Sequence, residues 1–185
     1  MIGCNRFIYV HVPKTGGTWV RQVLRTRMPA TWRPFDRYGH VGVVEIPPHL
    51  QGVPRIAFVR NPWDWFVSLF AFYGGKSPND FPKYVAQVGY GHYTHLTRPL
   101  LIDSSNNLSC LIKRYEDGVS SQMASFIEAH GGTAEEVAPI VSALRSEPKA
   151  NVSSRGNYRD YYDSALSRAV GDANSWAVRR FGYEF

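Results

Sequence analysis

The residues of this 185-residue chain best suited to chemistry stand at Lys14-Thr15-Gly16-Gly17-Thr18-Trp19. Lys14 carries a full positive charge, and Thr15 and Thr18 carry hydroxyl donors. Gly16 and Gly17 allow a tight turn that brings backbone N–H groups toward one point. Before them runs Phe7-Ile8-Tyr9-Val10-His11-Val12, apolar and β-branched or aromatic apart from His11. That composition suits a buried strand, which Pro13 ends because it cannot donate to a ladder. After Thr18 comes a run of good helix formers without Gly or Pro. Strand, glycine turn and helix start, in that order, make an oxyanion site. The first N–H groups of a helix have no internal partner, and its dipole adds positive potential. The chemistry implied is the holding of a phosphate-like group. The loop differs from the nucleoside-triphosphate pattern G-x-x-x-x-G-K-S/T, because Lys14 precedes its glycines.

A second candidate is Arg60, in Val59-Arg60-Asn61-Pro62-Trp63-Asp64. A guanidinium forks onto phosphate oxygens. Asn61-Pro62 sets a turn and places Pro62 at a helix start, where its missing N–H costs little. Ser68 stands eight residues after Arg60, a spacing that helix geometry alone does not turn into a contact. Proton transfer would fall to one of six histidines: His11, His40, His49, His92, His95 and His130. His11 lies inside the first strand and reads as structural. His130 ends a helical stretch, where a cation suits the dipole.

The elements that must position these residues follow from patterning. Strands are expected over 6–12 and 55–59, and helices over 18–26 and 63–73, with an apolar Trp, Phe and Leu stripe facing inward along the second helix. Residues 27–39 read as a loop at the mouth of the site, and 40–46 as either a short helix or a strand. A short helix is expected over 80–88. Around the turn cluster Ser104-Ser105-Asn106-Asn107, residues 100–103 and 111–115 read as a β-hairpin or two sheet strands. Helices are expected over 119–130 and 134–146, a polar loop over 151–157, and helical stretches over 161–170 and 172–180. The alternation predicts one α/β domain spanning 1–185, with a mainly parallel central sheet flanked by helices. Ligands of such open sheets sit beyond the carboxyl ends of the strands, where both candidate loops are expected.

The totals narrow the class. A 44% hydrophobic and 19% charged composition is that of a globular protein. The net charge of +6 favours anionic ligands in general. Two cysteines, Cys4 and Cys110, form neither a metal-binding spacing nor a disulfide framework. No apolar run approaches a membrane span, and the first strand starts so close to Met1 that no signal peptide or anchor fits before it. The expectation is a cytoplasmic enzyme, or a domain of a longer chain.

Pro13-Lys14-Thr15-Gly16-Gly17-Thr18 resembles the phosphosulfate loop of the PAPS-dependent sulfotransferases, where PAPS is 3′-phosphoadenosine-5′-phosphosulfate. The segment from Ala57 to Phe70, a strand followed by Arg60-Asn61-Pro62-Trp63 and a helix carrying Ser68, is similar to that family's 3′-phosphate loop. Two motifs in the right order are more specific than either alone, and the chain is identified as a small, carbohydrate-sulfotransferase-like member. The resemblance implies a P-loop-NTPase-like sulfotransferase fold. It also implies transfer of a sulfuryl group from PAPS to an acceptor hydroxyl, with an amine as a lesser option, leaving 3′-phosphoadenosine 5′-phosphate (PAP) and needing no metal.

The residue roles it implies are these. Lys14 stabilises the charge that builds on the leaving phosphate. Thr15, Gly16, Gly17 and Thr18 line the 5′ end. Arg60 and Ser68 hold the 3′ phosphate. Trp19 and Trp63 either flank the adenine or pack the core, with the core the better reading for Trp63. His40 acts as general base, with Glu45 as runner-up. Lys113-Arg114-Tyr115-Glu116-Asp117 resembles a structural family segment. Arg155, in a polar loop like one near the family's cofactor, either adds to the 3′-phosphate site or lies on the surface. His92 and His95 are candidates to line the acceptor pocket. The acceptor is a small molecule or a glycan, with no specific nucleic acid and no membrane partner. A non-catalytic nucleotide- or RNA-binding module is the alternative from another class. A nucleotide kinase is disfavoured by the position of Lys14.

Overall fold

Apolar runs and turn residues place the elements of the computed structural model, which describes residues 1–146 and 155–185. In chain order they are β1 (Ile2–Gly3), β2 (Ile8–Val10), α1 (Gly17–Arg27), β3 (Phe35–Asp36), β4 (Arg55–Val59) and α2 (Pro62–Phe72). Next come α3 (Phe81–Val88), α4 (His92–Leu101), β5 (Leu111–Arg114), α5 (Val119–His130) and α6 (Ala134–Ser146). The last two are α7 (Ser164–Ala173) and α8 (Ser175–Phe181). The described residues divide into two compact units, Met1–Val59 with 99–146, and Arg60–Arg98 with 155–185.

The first unit holds a five-stranded sheet in the order β3-β1-β2-β4-β5. β2 and β4 pair in parallel, Tyr9 opposite Ile56, and β4 and β5 pair in parallel, Phe58 opposite Lys113. β1 runs antiparallel to β2 and to β3. The α/β architecture expected from the sequence is present, and its central sheet is mixed. The parallel half follows from the buried runs Ile8–Val10 and Arg55–Val59. The antiparallel half lies in segments too short for any period to register, and β3 falls inside the expected 27–39 loop. Helices α1, α5 and α6 pack on this sheet through Phe7, Tyr9, Trp19, Val23, Trp32, Phe58, Met123, Phe126 and Ile140. Phe7 meets Trp32 and Phe126 edge-on, with centroids 6.1 and 6.0 Å away. Such contacts add to plain area burial.

The second unit is built on α2, buried from Trp65 through Phe70. Phe70 and Phe81 sit 5.5 Å apart, and Phe81 also meets Tyr161 and Tyr162 at 5.5 and 5.0 Å. Asp163 caps α7, its carboxylate accepting from Leu166 N–H at 2.7 Å.

α5 and α6 coincide with the expected spans, because their apolar positions recur at helical spacing. Residues 40–46 carry only a single 3-10 turn, Val43–Glu45. Of the β-hairpin or two sheet strands expected over 100–103 and 111–115, only the second strand is present. Leu100 and Leu101 close α4, Ile102 makes one isolated antiparallel bridge to Leu108, and Leu111–Arg114 pairs with β4 instead. The turn cluster is real but local: Asp103 Oδ1 accepts from Ser105 and Asn107 N–H at 2.9 and 3.0 Å. Of the polar loop expected over 151–157, residues 151–154 lie outside the described residues. Among the described residues no helix is long and apolar enough to cross a membrane.

Phe58 is fully buried between Tyr9 and the helices. Phe58→Ala is expected to cost about 3–5 kcal/mol, read as a lowered urea midpoint at unchanged m-value.

Candidate functional site

The loop after β2 has a backbone shaped by sign alternation. Lys14 has φ 62° and Gly16 φ 77°, while Thr15 between them is not in the left-handed region. Backbone that alternates the sign of φ can turn successive N–H groups to one side, a concavity of the kind that suits anions. For Lys14 this conformation is uncommon, and a non-glycine residue held there costs of order 1–3 kcal/mol. Buried Thr15 helps to hold it, its hydroxyl donating to Val12 O at 2.8 Å.

Gly17 is glycine for a different reason. A Cβ there would lie 1.9 Å from His11 Cδ2, so the imidazole of β2's extension fills the space beneath the turn. Gly16 is the N-cap of α1, no side chain caps that terminus, and no acidic residue sits in its first turn. The helix N-terminus therefore has no side-chain cap for its N–H groups and no first-turn carboxylate against its dipole. Thr18 is exposed at this end, whereas Trp19 is 3% exposed and belongs to the core cluster, where its indole packs the helix onto the sheet. The ring of Tyr115 lies near Gly16 from the other side.

His11 and His40 meet beside this loop with ring centroids 4.8 Å apart. His40 is exposed, and its Nδ1 lies 3.1 Å from His11 O. A carbonyl only accepts, so His40 Nδ1 carries the proton and the neutral ring keeps its lone pair on Nε2. His11 is 8% exposed. Burial, followed by the neighbouring His40, pushes its pKa down to about 3. It is thus a neutral wedge under the loop, in keeping with the structural reading. Glu45 is exposed and pairs with Arg37 at 3.7 Å.

In the second unit Arg60 is 6% exposed, and it is paired with a carboxylate where it lies. Its Nε and Nη2 both reach Asp64 Oδ2 at 2.7 Å, and its Nη1 donates to Ser68 Oγ at 3.1 Å. The long side chain runs along two turns of α2, which is how residues eight apart come into contact. The Arg60 N–H donates to the hydroxyl of buried Tyr93 at 3.2 Å. Arg155 Nη2 bonds the other carboxylate oxygen of Asp64, so one carboxylate joins two guanidiniums. Asn61 Oδ1 accepts from Trp63 and Asp64 N–H at 3.0 and 3.3 Å and caps α2, with Pro62 in the first turn. Its Nδ2 donates to Glu184 O at 3.0 Å. Trp63 packs as expected, its indole N–H donating to Ser167 O at 2.8 Å. Burial, with Asp64 nearby, pushes the Tyr162 hydroxyl pKa upward.

His92 and His95 sit at the start of α4. Burial, then His95, lowers the pKa of His92. Sequence reasoning missed Tyr93 and the bridging role of Asp64. Asp64 carried a weak signal, its place one helical turn after Arg60, whereas Tyr93 lies in a stretch with no local pattern. Among the described residues no three His, Cys, Asp or Glu side chains converge as metal ligands do.

No protein-family model and no curated protein matches the sequence. Among solved structures, the chain is similar to a mouse sulfotransferase crystallised in complex with PAP. The two share 16% identity over 94% of this chain and 83% of that one, with a TM-score of 0.54. At that identity the likeness establishes the fold, which is that of a sulfotransferase.

Two outcomes are expected from the wedge under the loop. Gly17→Ala costs about 1–3 kcal/mol of stability by overpacking His11, and much less in a His11→Ala background, as urea denaturation of both pairs would show. The pH effect has a definite sign. The unfolded chain protonates His11 near 6.5 and the folded chain only near 3. Between those values the unfolded state binds more protons, so stability falls as pH drops from about 6.5 toward 3, by up to about 1.4 kcal/mol per unit. His11→Gln should flatten that part of the profile.

Proposed function

We propose that this chain is a sulfotransferase that moves a sulfuryl group from PAPS to an acceptor hydroxyl. The observation that carries the reading is the loop at Lys14–Gly17. Its alternating backbone opens onto an uncapped helix N-terminus with no acidic residue in the first turn. Such a cradle fits a phosphosulfate, which is strongly anionic and has oxygens for several N–H donors. The sulfotransferase fold and the PAP-bound neighbour support the same choice of donor. PAPS, when bound, supplies the activated sulfuryl group.

The chain's own residues do the rest. Lys14 places its ammonium beside the 5′ phosphate oxygens and offsets the charge that builds there, aided by Thr15, Thr18 and the N–H groups of Gly16 and Gly17. Trp19 steadies the loop from the core side. Arg60, Ser68 and Arg155 hold the 3′ phosphate, where the two guanidiniums retain positive charge beyond the single carboxylate between them. His40 accepts the proton of the acceptor hydroxyl at Nε2, the nitrogen that its bond to His11 O leaves with a lone pair. The exposure of His40 gives an acceptor access to it. No metal takes part in the scheme.

Calorimetric titration with PAP is the direct test. Wild type should bind PAP and not ATP, while Lys14→Ala and Arg60→Ala should each lose binding by tenfold or more. His40→Ala should keep PAP affinity and lose about 10²–10⁴ in turnover with PAPS and an accepted hydroxyl compound, found by mass-spectrometric screening. Full turnover in His40→Ala would remove it as the base. Absence of PAP binding by wild type would overturn the reading as a whole.

A further inference from the structure

Asp64 has so far been described only as a bridge, and its carboxylate joins two guanidiniums at the second loop. One oxygen takes both the Nε and Nη2 edge of Arg60, and the other takes Nη2 of Arg155, a residue 91 positions away. Both arginine side chains and the carboxylate are largely buried, at 8%, 12% and 15% exposure. A guanidinium has five N–H donors in a rigid fork, so fixing one edge fixes where the others point. Asp64 is itself held: its N–H is bonded to the capping Asn61 Oδ1, and it stands in the first turn of α2. The backbone that carries the carboxylate is thereby fixed, and its short side chain has far less reach than either arginine.

We propose that Asp64 is a specificity-determining positioning residue. It holds Arg60 and Arg155 together as one double guanidinium, and that arrangement makes the site prefer a nucleotide bearing a 3′ phosphate over one that lacks it. The inference rests on the sulfotransferase reading for the identity of the nucleotide. Charge supports a positioning role rather than occupation of the phosphate's place. Two guanidiniums and one carboxylate leave one net positive charge, which still attracts a phosphate. Ser68 Oγ accepts from Arg60, which leaves the serine O–H as a further donor. Removing the Asp64 charge frees two long side chains whose rotamer entropy then opposes binding. Nucleotides without a 3′ phosphate do not use the pair and are indifferent to its order.

The test compares PAP with 5′-AMP, which differ only in the 3′ phosphate, by calorimetric titration. The quantity read is the ratio of the AMP Kd to the PAP Kd in wild type, Asp64→Asn, Arg155→Gln and the double variant. Wild type should show a ratio of about 10–150, the worth of charge-assisted bonds to one phosphate. Asp64→Asn should lower it about tenfold with AMP affinity unchanged, Arg155→Gln should lower it comparably, and the double variant no further than the lower single. A fold-wide defect would weaken both ligands alike and leave the ratio intact. If Asp64→Asn fails to fold, Asp64→Glu, which keeps the charge but displaces it by one methylene, should give an intermediate ratio. An unchanged or raised ratio in the folded variant, or effects that multiply in the double, overturns the proposal and leaves the sulfotransferase reading standing. A wild type that binds PAP no better than AMP overturns both.

Discussion

The structure turns on how two loops concentrate positive potential without leaving uncompensated charge in the interior. At the first loop it does so with backbone. Lys14 and Gly16 take left-handed φ values, Gly17 presses its bare Cα against His11, and the N-terminus of α1 is left without a capping side chain. Two of these features are unfavourable on their own: a lysine in a strained region and a buried imidazole with Nδ1 unpartnered among the described residues. Together they place several N–H donors and a helix dipole around one point.

The second loop solves the same problem with side chains. An arginine as buried as Arg60 would be costly alone, because a desolvated charge needs a partner. Asp64 supplies that partner, and the serine one turn further on accepts another of its donors. The helix that carries both is capped by Asn61 and buried almost all round by aromatic neighbours, so the charged groups project from a rigid element. Rigid support fixes where the remaining N–H donors of Arg60 point.

The histidine pair shows how one residue type splits into two roles. His11, under the loop, is kept neutral by burial and acts as packing. His40, exposed, gives its Nδ1 proton to the backbone of His11 and presents Nε2 outward. Neither environment is visible in composition, though the strand position of His11 already argued for a structural role.

The sequence by itself determined what local residue types decide. The two glycines, the Asn-Pro start of α2 and the helical periods of α5 and α6 act over a few residues, and each was legible as written, whereas β2 ends at Val10, three residues before the proline expected to stop it. The sulfotransferase-like fold followed from the order of two loops on two apolar strands. Only tertiary structure decided the antiparallel strands β1 and β3, the docking of β5 on β4, and the meeting of Tyr93 and Arg155 with the Arg60 loop. A pairing between residues tens of positions apart depends on which chain segments reach the same place, and no spacing along the chain records that. Asp64 stands between the two: its first-turn position was readable, while the second arginine it binds became known only when the chain had folded back upon itself.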